Sequence, residues 1–458
     1  MTFIGLLAGY FTLFLGGMGI VFLLLKDSRR MNAIECACLA WMLGVGLISL
    51  SLWIGGIFVS GLFLQSLATL ACVALAIVAW RKKQKSQIAF SLPRPNGATE
   101  WVLGSMLLVE LVAIFFVSLK HTLGWDGLLN WEIKARYAFL NSGALPQAYY
   151  ASADRAFSHP EYPLAIPFTE LWLYLWMGAP HQFWIKTIFP LFYISGALLI
   201  ALLISRLTSR RWIGLLIALL IPFLPFILTS PGGVTVGYVD VPLSVVYAAA
   251  LGYFLCALQF QSKQALLIYA ALLTLLPWIK SEGIILWAIL VVLGLGAGLV
   301  QHRFRLFLII ALPGLLLIFG WHLYLHAVHC VPPADFAAPT LQLLSANIGR
   351  LPVIFRLVLI EVTDIGLWSC FWMLALAAII YLIAARRFIH LILVAGIVGP
   401  IVVYSLTYLF SAWPSYTAHI TSSLPRLLLQ VALAGWLAIG LALSRSKPES
   451  ATLKSDVG

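Results

Sequence analysis

The chain alternates long apolar runs with short polar breaks. The runs fall at about 3–25, 35–58, 61–80, 101–119, 184–205, 212–229, 241–260, 265–279, 283–300, 306–323, 366–385, 389–410 and 426–443. About twenty apolar residues carry a helix across the roughly 30 Å hydrocarbon core of a bilayer. No water reaches backbone groups there, so a segment must satisfy its own hydrogen bonds, which a helix does. A β-barrel would show alternating segments of about ten residues instead of unbroken runs. The pattern therefore predicts an all-α polytopic membrane protein, a bundle of about thirteen transmembrane helices. One further stretch, 163–178, begins with prolines and has sixteen residues. As a helix it spans only about 24 Å.

Charge decides how that stretch is read. Basic clusters stand at 26–30 (KDSRR), 81–85 (RKKQK), 205–211 (SRLTSRR), 302–305 (HRFR), 385–387 (ARR) and 444–447 (SRSK). Cytoplasmic loops carry an excess of Lys and Arg. With thirteen crossings and 163–178 not crossing, every cluster falls inside. If 163–178 crosses, everything after it inverts. It is therefore read as a re-entrant or interfacial helix. The first basic cluster follows the first apolar run, which predicts an uncleaved first span with its N-terminus outside. The connections 120–162, 230–240, 280–282, 324–364 and 411–425 then face outside and carry most of the unusual polar residues. The expected organisation is three N-terminal helices with a basic cytoplasmic loop over 1–100, a transmembrane core with a helical first outer loop over 101–443, and a cytoplasmic polar tail over 444–458.

Composition narrows the class. Of 458 residues, 62% are hydrophobic and only 10% are Asp, Glu, Lys or Arg. A soluble domain has about 25% of these charged residues. Mean hydropathy is +1.01. A soluble enzyme, a disordered chain and a nucleic-acid-binding module are excluded. The net charge of +12 marks cytoplasmic loops, and the expected partner is the lipid bilayer, not nucleic acid. No Gly-rich phosphate loop follows a strand, so no nucleotide-sugar or ATP site is expected. Cys36, Cys38, Cys72 and Cys256 lie in apolar runs, which leaves Cys330 and Cys370 as the one pair worth testing for a disulfide.

The chemistry is concentrated in the outer loops. Asp126 stands between Trp125 and Gly127 just past a span. A lone carboxylate in apolar surroundings is expensive to ionise unless paired or used, and such a site suits a general base. Glu132 and Arg136 are four apart on an expected helix, the spacing of a solvated salt bridge. In HPEYPL, Pro160 and Pro163 stiffen the chain around His159, Glu161 and Tyr162, which serves either a rigid interfacial turn or a substrate contact. Asp240 starts a span and fits both a helix cap and a substrate role. Lys280 and Glu282 interrupt the apolar stretch 265–300. Ionisable groups at such depth mark functional sites, and residues two apart on a helix do not face each other. Arg426 opens the last apolar run, where it can snorkel to the interface or hold an anion in bidentate fashion. His322, His326 and His329 have helical spacing, but their flanks lack the Glu of a zinc-protease helix, so they are read as interfacial aromatics and no metal ligand is assigned.

Outward carboxylates, cations at span ends and no nucleotide site suit an enzyme whose donor is a lipid phosphate reached from the bilayer. WDGLLNWEIKARYAFLNSGALP followed by HPEYPL resembles the first outer loop of GT-C-fold membrane glycosyltransferases, in the branch of protein O-mannosyltransferases and the aminoarabinose transferase of lipid A. GYVDVPLS, WIKSEG and HITSSLPRLLLQ resemble the patterns GYADLPL, KNEG and WHLxTSxxRLLLQ of a bacterial group of predicted members. The resemblance touches separated motifs between about residues 121 and 430. It implies a multi-pass bacterial plasma-membrane enzyme with an extracytoplasmic active site. That enzyme would transfer a sugar, with inversion, from a polyprenyl-phosphate donor to an extracytoplasmic glycan, lipid or protein acceptor.

On that resemblance Asp126 matches the catalytic carboxylate. Lys280, Arg426 and Arg136 are expected to bind the lipid phosphate, and Glu132, His159, Glu161, Tyr162, Asp240, Glu282 and His419 to position substrate. The chain departs from the pattern at several points. Gly127 stands where the family often has a second acidic residue, Ser281 replaces Asn, no Trp precedes His419, and the spans before residue 100 are extra. No cofactor is assigned, and a divalent cation is left open. A lipid-linked polysaccharide polymerase or ligase is the alternative enzyme. A transporter or flippase is the non-enzyme alternative; it predicts inverted repeats around a midplane site, and no motif is duplicated between the halves.

Overall fold

The computed structural model describes residues 2–25, 30–84, 89–91, 94–229, 231–332 and 335–444. The principal helices are α1 (Thr2–Leu24), α2 (Ala33–Gly56), α3 (Gly61–Gln84), α4 (Ala98–Lys120), α5 (Ile133–Leu140), α6 (Ala165–Met177), α7 (Ile188–Thr208) and α8 (Arg211–Leu220) in the first half. They continue as α9 (Asp240–Phe260), α10 (Lys263–Ile279), α11 (Gly283–Val300), α12 (Phe304–Ala327), α13 (Leu341–Asn347), α14 (Leu351–Val362), α15 (Phe371–Ala384), α16 (Phe388–Thr407) and α17 (Tyr416–Leu443). Two three-residue strands, β1 (Arg30–Asn32) and β2 (Ala89–Ser91), pair in parallel, with Met31 opposite Phe90.

Among the described residues, eleven helices are long and apolar enough to cross a membrane. The chain is an all-α multi-pass membrane protein, as its apolar pattern predicts. Ten of the eleven coincide with predicted runs. The runs at 212–229, 265–279 and 366–385 form the shorter apolar helices Arg211–Phe223, Lys263–Ile279 and Phe371–Ala384. The eleventh long helix, Leu341–Val362, falls inside the stretch read as an outer loop. Gln342, Ser345, Asn347, Gly349 and Arg350 dilute its hydropathy, and a 3-10 turn at Ile348–Arg350 divides it into α13 and α14. The basic clusters at 26–30, 81–85 and 444–447 fall partly outside the described residues, as does the tail after Ser444.

The stretch 163–178 forms the thirteen-residue α6, which Gly178 ends in the left-handed conformation. It is enclosed by α1, α2 and α5, and Trp172 Nε1 donates to the Gly9 carbonyl at 2.9 Å. Lys186 Nζ, just before α7, donates to the carbonyls of Leu119 and His121 at 2.8 and 2.6 Å. The chain that leaves α4 thus returns beside the end of α4, so the segment between them begins and ends at the same end of the bundle.

Glycine lets α1 and α2 meet backbone to backbone: a Cβ on Gly44 would lie 2.5 Å from the Leu13 carbonyl oxygen. Small residues serve this role between membrane helices. The N-terminal helices are tied to the rest through Trp172, through Trp278 Nε1 to Ser49 Oγ at 2.8 Å, and through Arg206 to Glu35 at 2.8 Å. The most enclosed long helix is α9, flanked by α7, α10 and α17. Its buried residues run from Asp240 to Leu258, so the carboxylate that opens it sits at the head of the core.

Candidate functional site

Five ionisable side chains from distant parts of the sequence meet at one end of the bundle. Asp240 opens α9 and is fully buried. Its Oδ1 accepts from Lys280 Nζ at 2.8 Å and from Gln430 Nε2 at 2.7 Å, and its Oδ2 accepts from Arg426 Nε at 3.0 Å. Lys280 lies in the break between α10 and α11 and also meets Glu282 Oε1 at 2.7 Å, against the expectation that the two do not face each other, because residues 280–282 are a turn and not helix. Arg426 reaches outward with its other nitrogen to Asp126 Oδ2 at 2.5 Å. The charges alternate along a line: Asp126, Arg426, Asp240, Lys280, Glu282.

The middle of that line is closed, Asp126 at one end is buried as well, and Arg426 and Glu282 are partly open. The side chains of Asp240 and Lys280 are 0% and 2% exposed, those of Arg426 and Glu282 21% and 20%. Burial alone would lower the Lys280 ammonium, but the carboxylates of Asp240 and Glu282 outweigh it and hold its pKa above the ordinary lysine value. Three carboxylates share two cations, and one Glu282 oxygen, Oε2, is buried without a hydrogen-bond partner.

Local sequence explains how each piece is held. Gln430 follows Arg426 by one helical turn on α17, so both face Asp240; Tyr404 OH on α16 donates to Gln430 Oε1 at 2.8 Å and fixes the amide. Pro425 removes one intrahelical donor immediately before Arg426. The Arg426 guanidinium lies over the Tyr238 ring, 4.9 Å from its centroid. Asp126 leads into a π-helical turn, Gly127–Glu132, which runs on into α5. Such wide turns favour functional sites. Gly124 N donates to the Val236 carbonyl at 2.8 Å, and a Cβ on Gly127 would meet that same oxygen at 2.7 Å. The first two outer loops therefore press together where Asp126 is presented, and the neighbouring position has no room for a second acidic side chain.

A second polar group adjoins the first. His159, in the left-handed conformation, places Nδ1 3.1 Å from Glu161 Oε1 and 3.9 Å from Asp335 Oδ2. Asp335 Oδ1 accepts from Trp413 Nε1 at 2.8 Å. The Tyr162 ring stacks on both Trp131 and His159, with centroids 5.6 and 4.8 Å away. Lys134 is fully buried behind them and donates to the His159 carbonyl at 2.7 Å. Burial brings its pKa down to about 7, against the pull of Glu161, Cys330, Asp126 and Glu170.

The remaining candidates lie apart from the charged line. Glu132 accepts from Arg136 at 2.8 Å and from Tyr174 OH at 2.8 Å, a local joint between α5 and α6, so Arg136 is engaged away from Arg426. His419 packs its ring on Trp413 at 4.6 Å, with Nδ1 2.8 Å from Ser411 Oγ, and organises the last outer loop. Lys280 faces two carboxylates in the interior, which leaves Arg426 as the accessible cation of the line. Cys330 and Cys370 are both free thiols. Among the described residues, no three His, Cys, Asp or Glu side chains converge as a metal-ligand set.

No family model, curated protein or solved structure matches the chain. The site is therefore read from its own residues.

Proposed function

We propose that the chain is a GT-C-type membrane glycosyltransferase that moves a sugar from a polyprenyl-phosphate donor to an extracytoplasmic acceptor, in a bacterial plasma membrane with this end facing out. One observation carries the reading. The segments around Asp126, Asp240, Lys280–Glu282 and Arg426, which carry the family-like motifs, join in a single charged line at one end of an apolar bundle. That placement suits a water-soluble acceptor meeting a lipid-borne donor, and it does not suit a midplane transport site.

The chemistry follows from the pairing of Arg426. Asp126 occupies the guanidinium as an anion would. A donor phosphate competes for the same planar donors, because Arg binds carboxylate and phosphate alike. Its arrival frees Asp126 beside the anomeric carbon. The acceptor hydroxyl then attacks that carbon from the face opposite the phosphate, Asp126 takes the hydroxyl proton, and the bond from the anomeric carbon to the phosphate oxygen breaks. Arg426 offsets the charge on the departing polyprenyl phosphate. Asp240, Lys280 and Gln430 keep Arg426 aimed, while His159, Glu161 and Tyr162 line the acceptor side.

The test compares lipid-linked sugars and envelope glycans by mass spectrometry in cells lacking the protein, complemented with wild type or Asp126→Asn. Expected is one sugar missing from a glycan and accumulation of its lipid donor, with both restored by wild type only. Full complementation by Asp126→Asn would remove Asp126 from catalysis. Loss of whole repeat units would favour a polymerase or ligase.

A further inference from the structure

We propose that residues 341–362 form an in-plane membrane-interface element, seating an exposed apolar face in the lipid leaflet at the site end of the bundle instead of crossing it. By length and composition the segment qualifies as a span. Its anchoring says otherwise. Just before its start, Ala337 N donates to the Phe410 carbonyl at 2.8 Å; around its middle, Asn347 Nδ2 donates to the Leu409 carbonyl at 2.7 Å, and Arg350 Nη1 lies 3.5 Å from the carbonyls of Tyr408 and Ser411. Its last turn is tied to the chain that follows by Trp368 Nε1 donating to Glu361 at 2.8 Å, and past its end Ser369 Oγ donates to the Phe223 carbonyl at 2.8 Å and the rings of Phe226 and Trp368 are 5.3 Å apart.

Both sets of anchors belong to the site end. Residues 408–411 lead directly into α17, which carries Arg426, and Phe226 and Arg426 both lie 3.4 Å from the position of a Cβ on Gly232. A crossing helix would instead separate its ends by the roughly 30 Å of the hydrocarbon core. The two parts are joined by a 3-10 turn at Ile348–Arg350.

The exposed face names the occupant. Ile354 is the one residue of α13 and α14 that is buried, and α14 packs through it on the side of α16 and α17. On the outer side Ile348, Phe355, Leu359 and Ile360 are between 47% and 65% exposed. Leu376 and Ile380 on α15, and Val402 on α16 against which α14 packs, are likewise exposed. Arg356 is exposed among these apolar residues. An arginine in an aromatic and aliphatic face suits the head-group boundary, where lipid phosphate meets the guanidinium and acyl chain meets the rest.

The test uses the full chain, with Cys330→Ser and Cys370→Ser, in vesicles of phosphatidylcholine and phosphatidylglycerol. An environment-sensitive fluorophore is placed on Phe355→Cys or Leu359→Cys. Expected is blue-shifted emission, quenched more by bromine near the lipid head group than by bromine near the chain terminus. In sealed vesicles of uniform orientation, Gln342→Cys and Thr363→Cys should react with an impermeant maleimide from the same side. Labelling from opposite sides would establish a crossing helix and overturn the proposal. Water-like emission without lipid quenching would overturn it too, as would cross-linking between copies at Phe355→Cys with loss of quenching. None of these outcomes bears on Asp126, so the transferase reading and this one fail separately.

Discussion

The two ends of the bundle use charge differently. At the end opposite the site, Glu35 meets Arg206 at 2.8 Å and accepts from Tyr253 OH at 2.6 Å, and Glu100 meets Arg211 at 3.4 Å. Each is one carboxylate with one arginine, and each arginine side chain is more than a third exposed. At the site end, three carboxylates share two cations, and the central pair is shut off from solvent. Balanced pairs with a wet arginine act as clamps between helices. A line closed at its centre and carrying surplus carboxylate fits the proposed exchange of one of its own partners for a ligand.

The largest expected effect comes from the centre of that line. Removing one member of a buried pair leaves an uncompensated charge, at about 3–5 kcal/mol. Asp240→Ala leaves Lys280 with Glu282 alone and Arg426 with Asp126 alone and takes away the buried carboxylate that separates the two cations, so its apparent Tm in detergent should fall below that of Glu35→Ala, whose Arg206 can turn to water. Equal losses at the two sites would show that the line is no more than another clamp.

A smaller effect tests how Asp126 is presented. Gly127→Ala puts a methyl group against the Val236 carbonyl, and overpacking of this kind typically costs about 1–3 kcal/mol. Transfer activity should fall further than stability, because the displaced residue adjoins the proposed base. Unchanged activity would mean that the contact between the first two outer loops does not position Asp126.

These residues also show how far the sequence could be read. Asp126, Asp240, Lys280, Glu282 and Arg426 stood out because charge is rare in apolar context. Their joining did not, because Asp126 and Arg426 are three hundred residues apart and only tertiary packing brings them together. Gln430 was within reach, since it follows Arg426 by one turn on the same face. Tyr238 and Tyr404 carry no such mark in an aromatic-rich chain. Glu170, buried in α6, lies in the apolar stretch 163–178 and could have been flagged by the same reasoning as Lys280. Lys134 could not: a lysine in an outer loop is ordinary until the fold buries it. The helices at 212–229, 265–279 and 366–385 were visible as apolar runs, while 341–362 was hidden by the polar residues in and before its 3-10 turn.

Lys134 gives a pH-dependent prediction. Its folded pKa of about 7 lies below the 10.5 of an ordinary lysine. Between those values the unfolded chain binds a proton that the folded chain lacks, so the penalty for burying this ammonium is full below pH 7 and is relieved as pH rises. Wild type should therefore gain stability relative to Lys134→Met from pH 7 toward 10, by at most about 1.4 kcal/mol per pH unit. A difference that stays flat with pH would mean that the amine keeps its proton, held by Glu161 and the His159 carbonyl.

The smallest effect returns to the opposite end. Arg211 is 37% exposed and 3.4 Å from Glu100, so the pair is screened and contributes about 0–1 kcal/mol. A double-mutant cycle with Glu100→Gln and Arg211→Gln should give a coupling in that range, falling as salt rises over the scale of the Debye length. The same cycle on Asp126 and Arg426, with Asp126→Asn and Arg426→Gln, should give a larger coupling that salt barely changes, because little water reaches between those groups. If the two couplings match in size and salt response, the contrast between the ends is one of geometry alone. If only the Asp126 cycle resists salt, Arg426 holds its carboxylate in a closed setting, and a donor phosphate must compete directly with Asp126 to bind.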